Sequence, residues 1–365
     1  MPHLRLILSA LLLAACSAPV SAPRMSQPAA PATATNTLPA EGFYVLPEIA
    51  GWNTAALEDY FAYVEAQNST GIVIIDRERI IAERVWPAPV GDAMFALFVH
   101  GRAADGALVE DVASLQKSII ALLAGIAEDK GLLNADYPAS HYLGAGWSKA
   151  APEQEAAITV RHLMEMNSGL KEDLTSEAAP GEKFFYNTPA YAKLQSVLEA
   201  ASGAPLAAIT EAWLTRPLGL AETGWRPRPA AFGNVGNPMA LVSTPRELSR
   251  FGQMVLDNGR APDGTRVISA EALAALFAPT ETNPAYGRLW WLNSGDWSLA
   301  AGGVRREGAF IPAAPADTIT GLGFLGRQVF IVPSKGLVIV RTGASPPDTE
   351  FLQKSWELLA KAMPE

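Results

Sequence analysis

The sequence has one cysteine and four histidines among its 365 residues. A lone cysteine cannot form a disulfide bond within the chain, so the folded state depends on its core for stability. The histidines, His3, His100, His141 and His162, do not have the spacing of zinc ligands. The sequence therefore predicts neither a disulfide-linked scaffold nor a zinc site.

Signals for nucleotides and nucleic acids are missing as well. The one G-x-G-x-x-G, at residues 321–326, precedes a β-rich run and not a helix, and no G-x-x-x-x-G-K-[ST] is present. We therefore expect no cofactor. A formal net charge of −9 without a basic stripe argues against nucleic acid as a partner. The motif G-x-S-x-G is also absent, which argues against the catalytic triad of the α/β-hydrolases.

The N-terminus has the pattern of an export signal. Residues 1–5 are positively charged, residues 6–15 are mostly apolar, and small residues follow. The apolar run is shorter than the roughly 20 residues that a membrane-spanning helix needs. A positive start before a short apolar run is typical of a secretory signal peptide, which we predict to occupy residues 1–15.

The end of this signal, Leu13-Ala14-Ala15-Cys16, resembles the lipobox of bacterial lipoproteins, in which the cysteine is lipidated and becomes the new N-terminus. The alternative is an ordinary cleaved signal with a cysteine near its end. Ser17, which follows the cysteine, resembles an outer-membrane sorting signal of Gram-negative bacteria. The resemblance implies a lipoprotein on the periplasmic face of the outer membrane, attached to it through Cys16.

A low-complexity segment separates the signal from the rest of the chain. Residues 16–41 are rich in Ala, Pro, Ser and Thr. Such a segment cannot bury enough apolar surface to become ordered, which predicts a tether. Because 49% of the sequence is hydrophobic, a substantial core is expected, and we assign it to one domain at residues 42–365.

The patterns inside this domain predict the α+β class. Two pairs of β-rich runs predict hairpins near its two ends, at residues 71–86 and 329–341. Amphipathic helices and long loops lie between them. We therefore predict one antiparallel sheet built from residues 42–108 and 300–365, with a mainly helical lobe, residues 109–299, inserted between them.

Several helix boundaries can be predicted from the sequence. Asn53, Thr244 and Ser269 each precede an amphipathic stretch and have the side chains of N-caps. Glu247 follows Thr244 by three residues, which is the pattern of a capping box, in which each of the two side chains bonds the backbone of the other residue. A last amphipathic helix is predicted at about residues 348–362.

The most informative stretch is Ser114-Leu115-Gln116-Lys117, within a run, residues 111–130, that is apolar on nearly every side. Such a run predicts a buried helix. A hydroxyl and an amine three residues apart on a helix lie on the same face. Because a poorly solvated lysine can activate a serine, Ser114 and Lys117 are candidates for a nucleophile and its base. The alternative is a helix cap and a surface amine.

The pattern S-x-x-K is weak by itself, and it occurs a second time at Ser168 and Lys171. This second match follows a periodic stretch and has Gly169 at a stop position, so we interpret it as the end of a helix. His162, which lies on that helix among apolar neighbours, is interpreted as a structural histidine. Neither is therefore expected to be part of a catalytic site.

Further motifs follow in an order that indicates a family. Ser114-x-x-Lys117, residues 158–170 and residues 186–188 resemble, respectively, the S-x-x-K motif, the "ITVRHLL-x-M-x-SGL" segment and the Y-x-N motif of the serine β-lactamase and penicillin-binding-protein superfamily. The similarity is greatest to its class C-like branch, which contains esterases and 6-aminohexanoate-dimer hydrolases, and covers about residues 45–360. It implies the serine β-lactamase/DD-peptidase-like fold and no obligate protein partner.

The third motif of this family departs from the usual pattern. The family has K-T-G or a relaxed x-x-G on a strand beside the nucleophile, and the stretch that resembles it is Gly321-Leu322-Gly323, directly before Phe324. No Lys or His stands at its first position. In β-lactamases that cation helps to hold the carboxylate of the antibiotic, so its absence favours the esterase and nylon-oligomer-hydrolase branches.

The resemblance implies that Ser114 forms an acyl-enzyme, with Lys117 and Tyr186 as general base and acid, and with the backbone N–H groups of Ser114 and Phe324 as the oxyanion site. A nearby ammonium group favours a phenolate, so the pKa of Tyr186 is expected to fall towards neutrality. Which of Lys117 and Tyr186 is the base stays open. Weaker candidates for substrate binding are Thr188, Gly321, Gly323 and Trp290.

Three functions remain open from the sequence. The leading one is a hydrolase of an ester or a linear amide, in a small molecule or a peptide. The second is a β-lactamase or a carboxypeptidase or amidase that releases D-amino acids, and the third is a non-catalytic protein that binds peptidoglycan peptides or antibiotics. Ser114, Lys117 and Tyr186 favour catalysis, because a binding protein does not need all three.

Overall fold

The computed structural model describes residues 43–45 as backbone and residues 51–364 with their side chains. The described residues belong to one compact unit, Leu38–Glu365. The predicted signal peptide, the lipidation site Cys16 and the tether lie outside the described residues. Among the residues described, no helix is both long enough and apolar enough to cross a membrane.

A seven-stranded antiparallel sheet is the centre of the fold. Its strand order is β1-β3-β2-β13-β12-β11-β8. Three strands from residues 43–85 form one side, three strands from residues 319–343 lie next to them, and β8, from the middle of the chain, lies at the edge. This confirms the predicted sheet built from both termini. The strands, in chain order, are β1 (Phe43–Val45), β2 (Ser69–Asp76), β3 (Arg79–Val85), β4 (Val99–Arg102), β5 (Leu108–Asp111), β6 (Gly224–Pro227), β7 (Met239–Ser243), β8 (Trp291–Leu292), β9 (Trp297–Leu299), β10 (Arg305–Glu307), β11 (Ile319–Gly323), β12 (Arg327–Val332) and β13 (Leu337–Gly343).

Helices cover this sheet and fill the middle of the chain. Asn53, Thr244 and Ser269 accept backbone N–H bonds as N-caps, as predicted. The α-helices are α1 (Thr54–Ala66), α2 (Ala93–Ala96), α3 (Gln116–Asp129), α4 (Ala139–Leu143), α5 (Pro152–Ala157), α6 (Val160–Met164), α7 (Thr188–Ser202), α8 (Leu206–Thr210), α9 (Pro245–Leu256), α10 (Ala270–Leu276) and α11 (Phe351–Ala362).

Both faces of the seven-stranded sheet are buried. In β2, Ile72 and Ile74 point into a core shared with α1 and α11. Val73 and Ile75, on the opposite face, point into a larger core that contains much of α3 and α9. This alternation is the period of two expected of a strand, with both faces covered by helices.

A second antiparallel sheet, with the order β4-β5-β7-β6, lies partly in the range predicted to be helical. It determines where the helix of the S-x-x-K motif begins. Asp111 ends β5 instead of starting the helix, and the N–H of Val112 donates to the carbonyl of Leu241 over 2.9 Å. A 3-10 turn, Ala113–Leu115, then leads into α3, so the helix starts at Gln116.

The predicted capping box at α9 is only half formed. Thr244 accepts the N–H of Glu247, but the carboxylate of Glu247 does not return to Thr244. It accepts instead the backbone N–H groups of Ala221, Glu222 and Thr223. The prediction was wrong for Glu247 because a carboxylate gains more from several donors in a neighbouring loop than from one cap N–H.

Candidate active site

Ser114 lies in the tight turn that joins β5 to α3. Ala113, just before it, has φ of 53°, a left-handed conformation that non-glycine residues seldom adopt. The carboxylate of Asp111 accepts the N–H of Ala113 over 2.8 Å and so holds the turn. Backbone strain of this kind persists only where neighbouring contacts fix it, which is common at functional sites.

Lys117 is in direct contact with Ser114. Its Nζ lies 3.0 Å from Ser114 Oγ and 3.2 Å from Thr188 Oγ1. The amine also lies over two aromatic rings, 5.0 Å from the ring centroid of Tyr186 and 4.6 Å from that of Tyr191. Lys117 is 2% exposed, so this amine is not the surface amine of the alternative interpretation.

Burial changes the acid–base character of Lys117. Removal from water disfavours the ammonium and, together with the nearby Arg228 guanidinium, lowers the pKa of Lys117 to about 7. Near neutral pH a substantial fraction of Lys117 is therefore an uncharged amine, which can accept the proton of the Ser114 hydroxyl.

Tyr186 lies at the same place, but its pKa moves in the direction opposite to the prediction. The nearby Ser114 hydroxyl favours the phenolate of Tyr186 and so acts to lower its pKa. Burial outweighs this effect and raises the pKa of Tyr186 to about 12. The expected decrease towards neutrality was wrong because removing a phenolate from water costs more than its neighbours return.

In residues 186–188, which resemble the Y-x-N motif, the second residue has a structural role and the third residue contacts Lys117. Asn187 is the N-cap of α7, and its amide donates to the carbonyls of Leu170 and Lys171 over 2.8 and 2.9 Å. Thr188, in third place, contacts the Lys117 amine. The weak prediction of Thr188 as a site residue therefore agrees with its position.

The side chains of Ser114, Lys117 and Thr188 line a cavity of about 270 Å³. Its wall is mostly apolar, and rings contributed by three separate segments meet there: the centroid of Phe98 lies 5.1 Å from that of Phe232 and 6.0 Å from that of Phe324. Phe324 is 57% exposed and Val235 is 44% exposed. The lining residues are Phe98, Ala113, Ser114, Lys117, Thr188, Arg228, Phe232, Val235, Asn237 and Phe324.

The third-motif glycines are not part of this lining. A Cβ on Gly321 would lie 3.0 Å from Ser118 Oγ, and one on Gly323 would lie 2.3 Å from the carbonyl oxygen of Val112. Both positions therefore allow β11 to approach the start of α3 closely, and Phe324 follows them into the cavity. Gly321 and Gly323 therefore have a packing role beside the nucleophile, and their contact with a substrate stays a prediction.

Trp290 was predicted to bind substrate, but its side chain does not line the cavity. It is 1% exposed and packs against Phe277, with ring centroids 5.5 Å apart. A ring in the core cannot contact a substrate, so this prediction was wrong. Large aromatic side chains are core residues more often than ligands, and no local pattern distinguishes the two.

Two interpretations of residues outside the site hold. His162 Nδ1 accepts the N–H of Thr159 over 3.1 Å in a capping box, which confirms its structural role. At the second S-x-x-K match, Ser168 bonds its own turn through the N–H of Leu170, and Lys171 is exposed to solvent.

Arg228 is the site residue that the sequence did not indicate. It follows β6, and its guanidinium forms a two-point ion pair with Asp111 over 2.8 and 2.9 Å. It also donates to Gln116 over 2.7 Å and to the carbonyl of Asn237 over 2.9 Å. Because the partners lie far apart in sequence, no spacing rule could have identified this cluster.

A larger cavity, about 480 Å³, lies at the C-terminal end of α9. Its lining includes Arg77, Glu78 and Asp257, but no serine, lysine or cysteine. In the part of the chain that the structure describes, no group of three or more His, Cys, Asp or Glu side chains could hold a metal ion. The smaller cavity, with its nucleophile and amine, is therefore the candidate active site.

Comparisons with known proteins identify the family and the fold of the chain. A family model described as Beta-lactamase matches residues 61–363. An uncharacterized protein of Alkalihalophilus pseudofirmus is 24% identical over 306 residues, which are 75% of this chain and 83% of that protein.

Solved structures share the fold at lower identity. A family VIII carboxylesterase has a TM-score of 0.62 at 13% identity, covering 88% of this chain and 100% of its own. A candidate 6-aminohexanoate-dimer hydrolase from Bacillus anthracis has a TM-score of 0.62 at 15% identity, covering 82% of this chain and 81% of its own.

Proposed function

Because the chain belongs to the Beta-lactamase family, we propose that it is a serine hydrolase that cleaves an ester or a linear amide through an acyl-enzyme on Ser114. One observation carries this proposal. The Nζ of Lys117 lies 3.0 Å from Ser114 Oγ, and burial lowers the pKa of Lys117 to about 7. A nucleophile and a base poised near neutral pH are thus in bonding contact.

In the first half of the reaction, the uncharged amine of Lys117 accepts the proton of Ser114 as Oγ attacks the carbonyl carbon. The resulting oxyanion is bound by the backbone N–H groups of Ser114 and Phe324. Collapse of the tetrahedral intermediate breaks the bond to the leaving alcohol or amine, which takes a proton from the hydroxyl of Tyr186. The ammonium of Lys117 then returns a proton to the phenolate.

In the second half, water replaces the leaving group and the same groups act in reverse. The water loses a proton as it attacks the acyl carbonyl, and Ser114 Oγ regains one as the acid product leaves. Assigning the base role to Lys117 and the acid role to Tyr186 follows from their pKa values, about 7 and about 12.

The charges around the cavity favour a substrate without a carboxylate. Arg228 is a cation in the wall, but its guanidinium is already bound by Asp111, Gln116 and Asn237. Lys117 is partly neutral, and Gly321 stands where a cation would occur in a β-lactamase. An ester or amide with an apolar acyl or leaving group fits this wall better than a β-lactam or a D-Ala peptide.

A fluorophosphonate probe tests the proposal directly. We expect the mature protein to be labelled, with labelling lost in Ser114→Ala, and short acyl esters to be hydrolysed faster than a chromogenic cephalosporin. A folded protein that neither reacts with the probe nor hydrolyses any member of a panel of esters, linear amides, D-Ala dipeptides and β-lactams would be a binding protein instead.

We further propose that the enzyme is an exported lipoprotein held at the periplasmic face of the outer membrane through Cys16. The lipobox-like stretch before Cys16 and the tether after it support this. Cys16→Ser is expected to move the protein from the membrane fraction to the soluble periplasmic fraction. Retention of this variant on the membrane, with the signal peptide cleaved, would contradict the anchor.

A further inference from the structure

Two fully buried arginines hold the turn that carries Phe324. This turn, residues 324–326, joins β11 to β12, and Leu325 within it has φ of 65°. Arg327 Nη1 donates to the carbonyl of Phe324 over 3.1 Å, and Arg341 Nη1 donates to the carbonyl of Leu325 over 2.7 Å. Two successive peptide groups of a strained turn are thus fixed by charged donors.

Arg327 also connects this turn to the strand that leads to the nucleophile. Its Nη2 lies 2.7 Å from a carboxylate oxygen of Glu110, and neither side chain is exposed. Glu110 belongs to β5, which ends just before the turn of Ser114. Its second carboxylate oxygen accepts the hydroxyl of Thr70. The ion pair between Glu110 and Arg327 therefore connects the strand that leads to Ser114 with the turn that carries Phe324.

Arg341 is fixed just as firmly. Its Nε donates to Ser69 Oγ over 2.9 Å, and its Nη2 donates to the carbonyls of Gln67 and Ala344 over 2.7 and 2.9 Å. Ser69 begins β2, Gln67 lies just before that strand, and Ala344 directly follows β13. The turn 324–326 is thus attached to the centre of the seven-stranded sheet.

Stability alone does not account for this arrangement. Removing two charges from water costs about as much as their attraction returns, and apolar side chains of similar volume often replace buried ion pairs without loss of stability. What an ion pair supplies beyond an apolar contact is direction, because a guanidinium accepts only a narrow set of partner positions. Here those directions set the distance between β5 and the turn 324–326.

We propose that Glu110 and Arg327 are positioning residues of the oxyanion site: their ion pair sets the N–H of Phe324 at the correct distance from the N–H of Ser114. The inference rests on the proposed function. The tetrahedral intermediate needs both N–H groups, so loss of the ion pair should weaken the binding of this intermediate. Binding of the unreacted substrate should change little.

The test uses two variants. Arg327→Lys keeps the positive charge but loses the planar guanidinium group with its several N–H donors, and Glu110→Gln keeps the shape of the side chain but loses its negative charge. Rates with a short acyl p-nitrophenyl ester are expressed per fluorophosphonate-titrated site, so that unfolded protein does not count. We expect kcat to fall about 10- to 100-fold in each variant, because small displacements of an oxyanion donor have effects of this size. KM should change by less than about twofold.

A second readout separates positioning from general damage. An alkylboronic acid forms a tetrahedral adduct with the serine, and its Ki should rise by the same factor by which kcat/KM falls. The pH profile should keep its shape, since Lys117 is not altered. Arg246→Lys is the matched control: it weakens another ion pair, between Arg246 on α9 and the buried Glu83 on β3, and neither of these residues lines the cavity.

Each outcome decides between the proposals. If Arg327→Lys and Glu110→Gln change kcat and Ki no more than Arg246→Lys does, the positioning role is refuted and the proposed function stands. If Arg327→Lys does not fold, Glu110→Gln carries the same test. If the unmodified protein shows no turnover that depends on Ser114, the proposed function is refuted, and the positioning role with it.

Discussion

Lys117 shows how a single side chain acquires its chemistry from its surroundings. In water its amine would be protonated at every physiological pH. In the fold it is 2% exposed and lies among Ser114, Thr188 and two tyrosine rings. Burial lowers the pKa of its amine, and the positive charge of Arg228 nearby lowers that pKa further.

The first prediction concerns the pH dependence of catalysis. Because the amine of Lys117 must be unprotonated to act as a base and its pKa is about 7, kcat/KM for an uncharged ester should fall about tenfold per pH unit well below pH 7. Above that pH it should level off. Rates between pH 5 and 9 measure this, and a profile without an acid limb near 7 would contradict Lys117 as the base.

Lys117→Arg is the control for this profile. A guanidinium stays protonated over the whole range, so the variant should lose about 10²- to 10⁴-fold in kcat at every pH. Tyr186→Phe should also lose activity, but it should keep the acid limb, because the base remains.

The second prediction concerns stability. The pKa of a lysine is about 10.4 in an unfolded chain, whereas that of Lys117 is about 7 in the folded protein. Between these values the unfolded state binds more protons, so the free energy of unfolding rises with pH. Lys117→Met removes this titration and should stabilise the protein at pH 7 by roughly 2–4 kcal/mol.

Urea unfolding at two pH values checks this expectation. The difference between Lys117→Met and the unmodified protein should shrink as the pH is raised from 7 towards 10. An equal difference at both pH values would mean that packing, and not the charge of the amine, determines the effect.

For individual residues, the sequence predicted which side chains lie close together, but it did not predict their pKa values. Ser114 and Lys117 were readable because they lie one helical turn apart, and Tyr186 because it belongs to a short motif. The direction of the Tyr186 pKa was wrong because burial by distant segments leaves no local pattern. Arg228 was missed because its partner Asp111 is separated from it by more than a hundred residues.

Among the elements, β11 supports the candidate site by packing against the start of α3. It passes so close to the start of α3 that a Cβ on Gly323 would overlap the carbonyl oxygen of Val112, and one on Gly321 would lie only 3.0 Å from Ser118 Oγ. The closest approach is at Gly323, directly before the turn 324–326. Small residues are therefore required there for steric reasons alone.

The third prediction follows from this contact. In Gly323→Ala the new Cβ would lie 2.3 Å from the carbonyl oxygen of Val112 and 3.4 Å from the amide nitrogen of Leu115. Both atoms are backbone, so β11 must move away. We expect a loss of about 1–3 kcal/mol in the free energy of unfolding and a lower kcat per titrated site. Thermal unfolding and ester hydrolysis measure the two effects.

Gly302→Ala is the matched control, because a Cβ there would have nothing within 4 Å. It should change stability by less than about 0.5 kcal/mol and leave kcat unaltered. If Gly323→Ala behaves in the same way, the close approach of β11 has no functional consequence.

Elements with strong periodicity were predictable, and short ones were not. The hairpins β2–β3 and β12–β13 and the caps of α1, α9 and α10 agree with the sequence interpretation. The second sheet was missed because its strands have only four or five residues each and pair over long distances. Alternation over four residues is too short to distinguish a strand from a loop.

For the molecule as a whole, the seven-stranded sheet separates two cores. The core shared with α1 and α11 lies on one face, and the core that contains α3, with Lys117 at its start, lies on the other. A defect in the first core should therefore reduce the stability of the fold without altering the chemistry of the site.

The fourth prediction tests this separation. Trp356 on α11 is buried and packs against Phe330, with ring centroids 5.1 Å apart. Trp356→Ala should lower the free energy of unfolding by about 3–5 kcal/mol. Measured by urea unfolding and by kcat per titrated site, the variant should be less stable but equally active. A parallel loss of kcat would show that the two faces are coupled.

The global architecture was the most predictable part of the molecule, since strand patterns at both ends and helices between them restrict the possible sheets. The exact composition of that sheet has a consequence for biosynthesis. The inner edge of β2 is covered by β13, with Asp76 opposite Leu337 and Ile72 opposite Arg341. Until β13 has been synthesised, β2 lacks this neighbour, so the nascent chain cannot close its central sheet while only its N-terminal strands have been made.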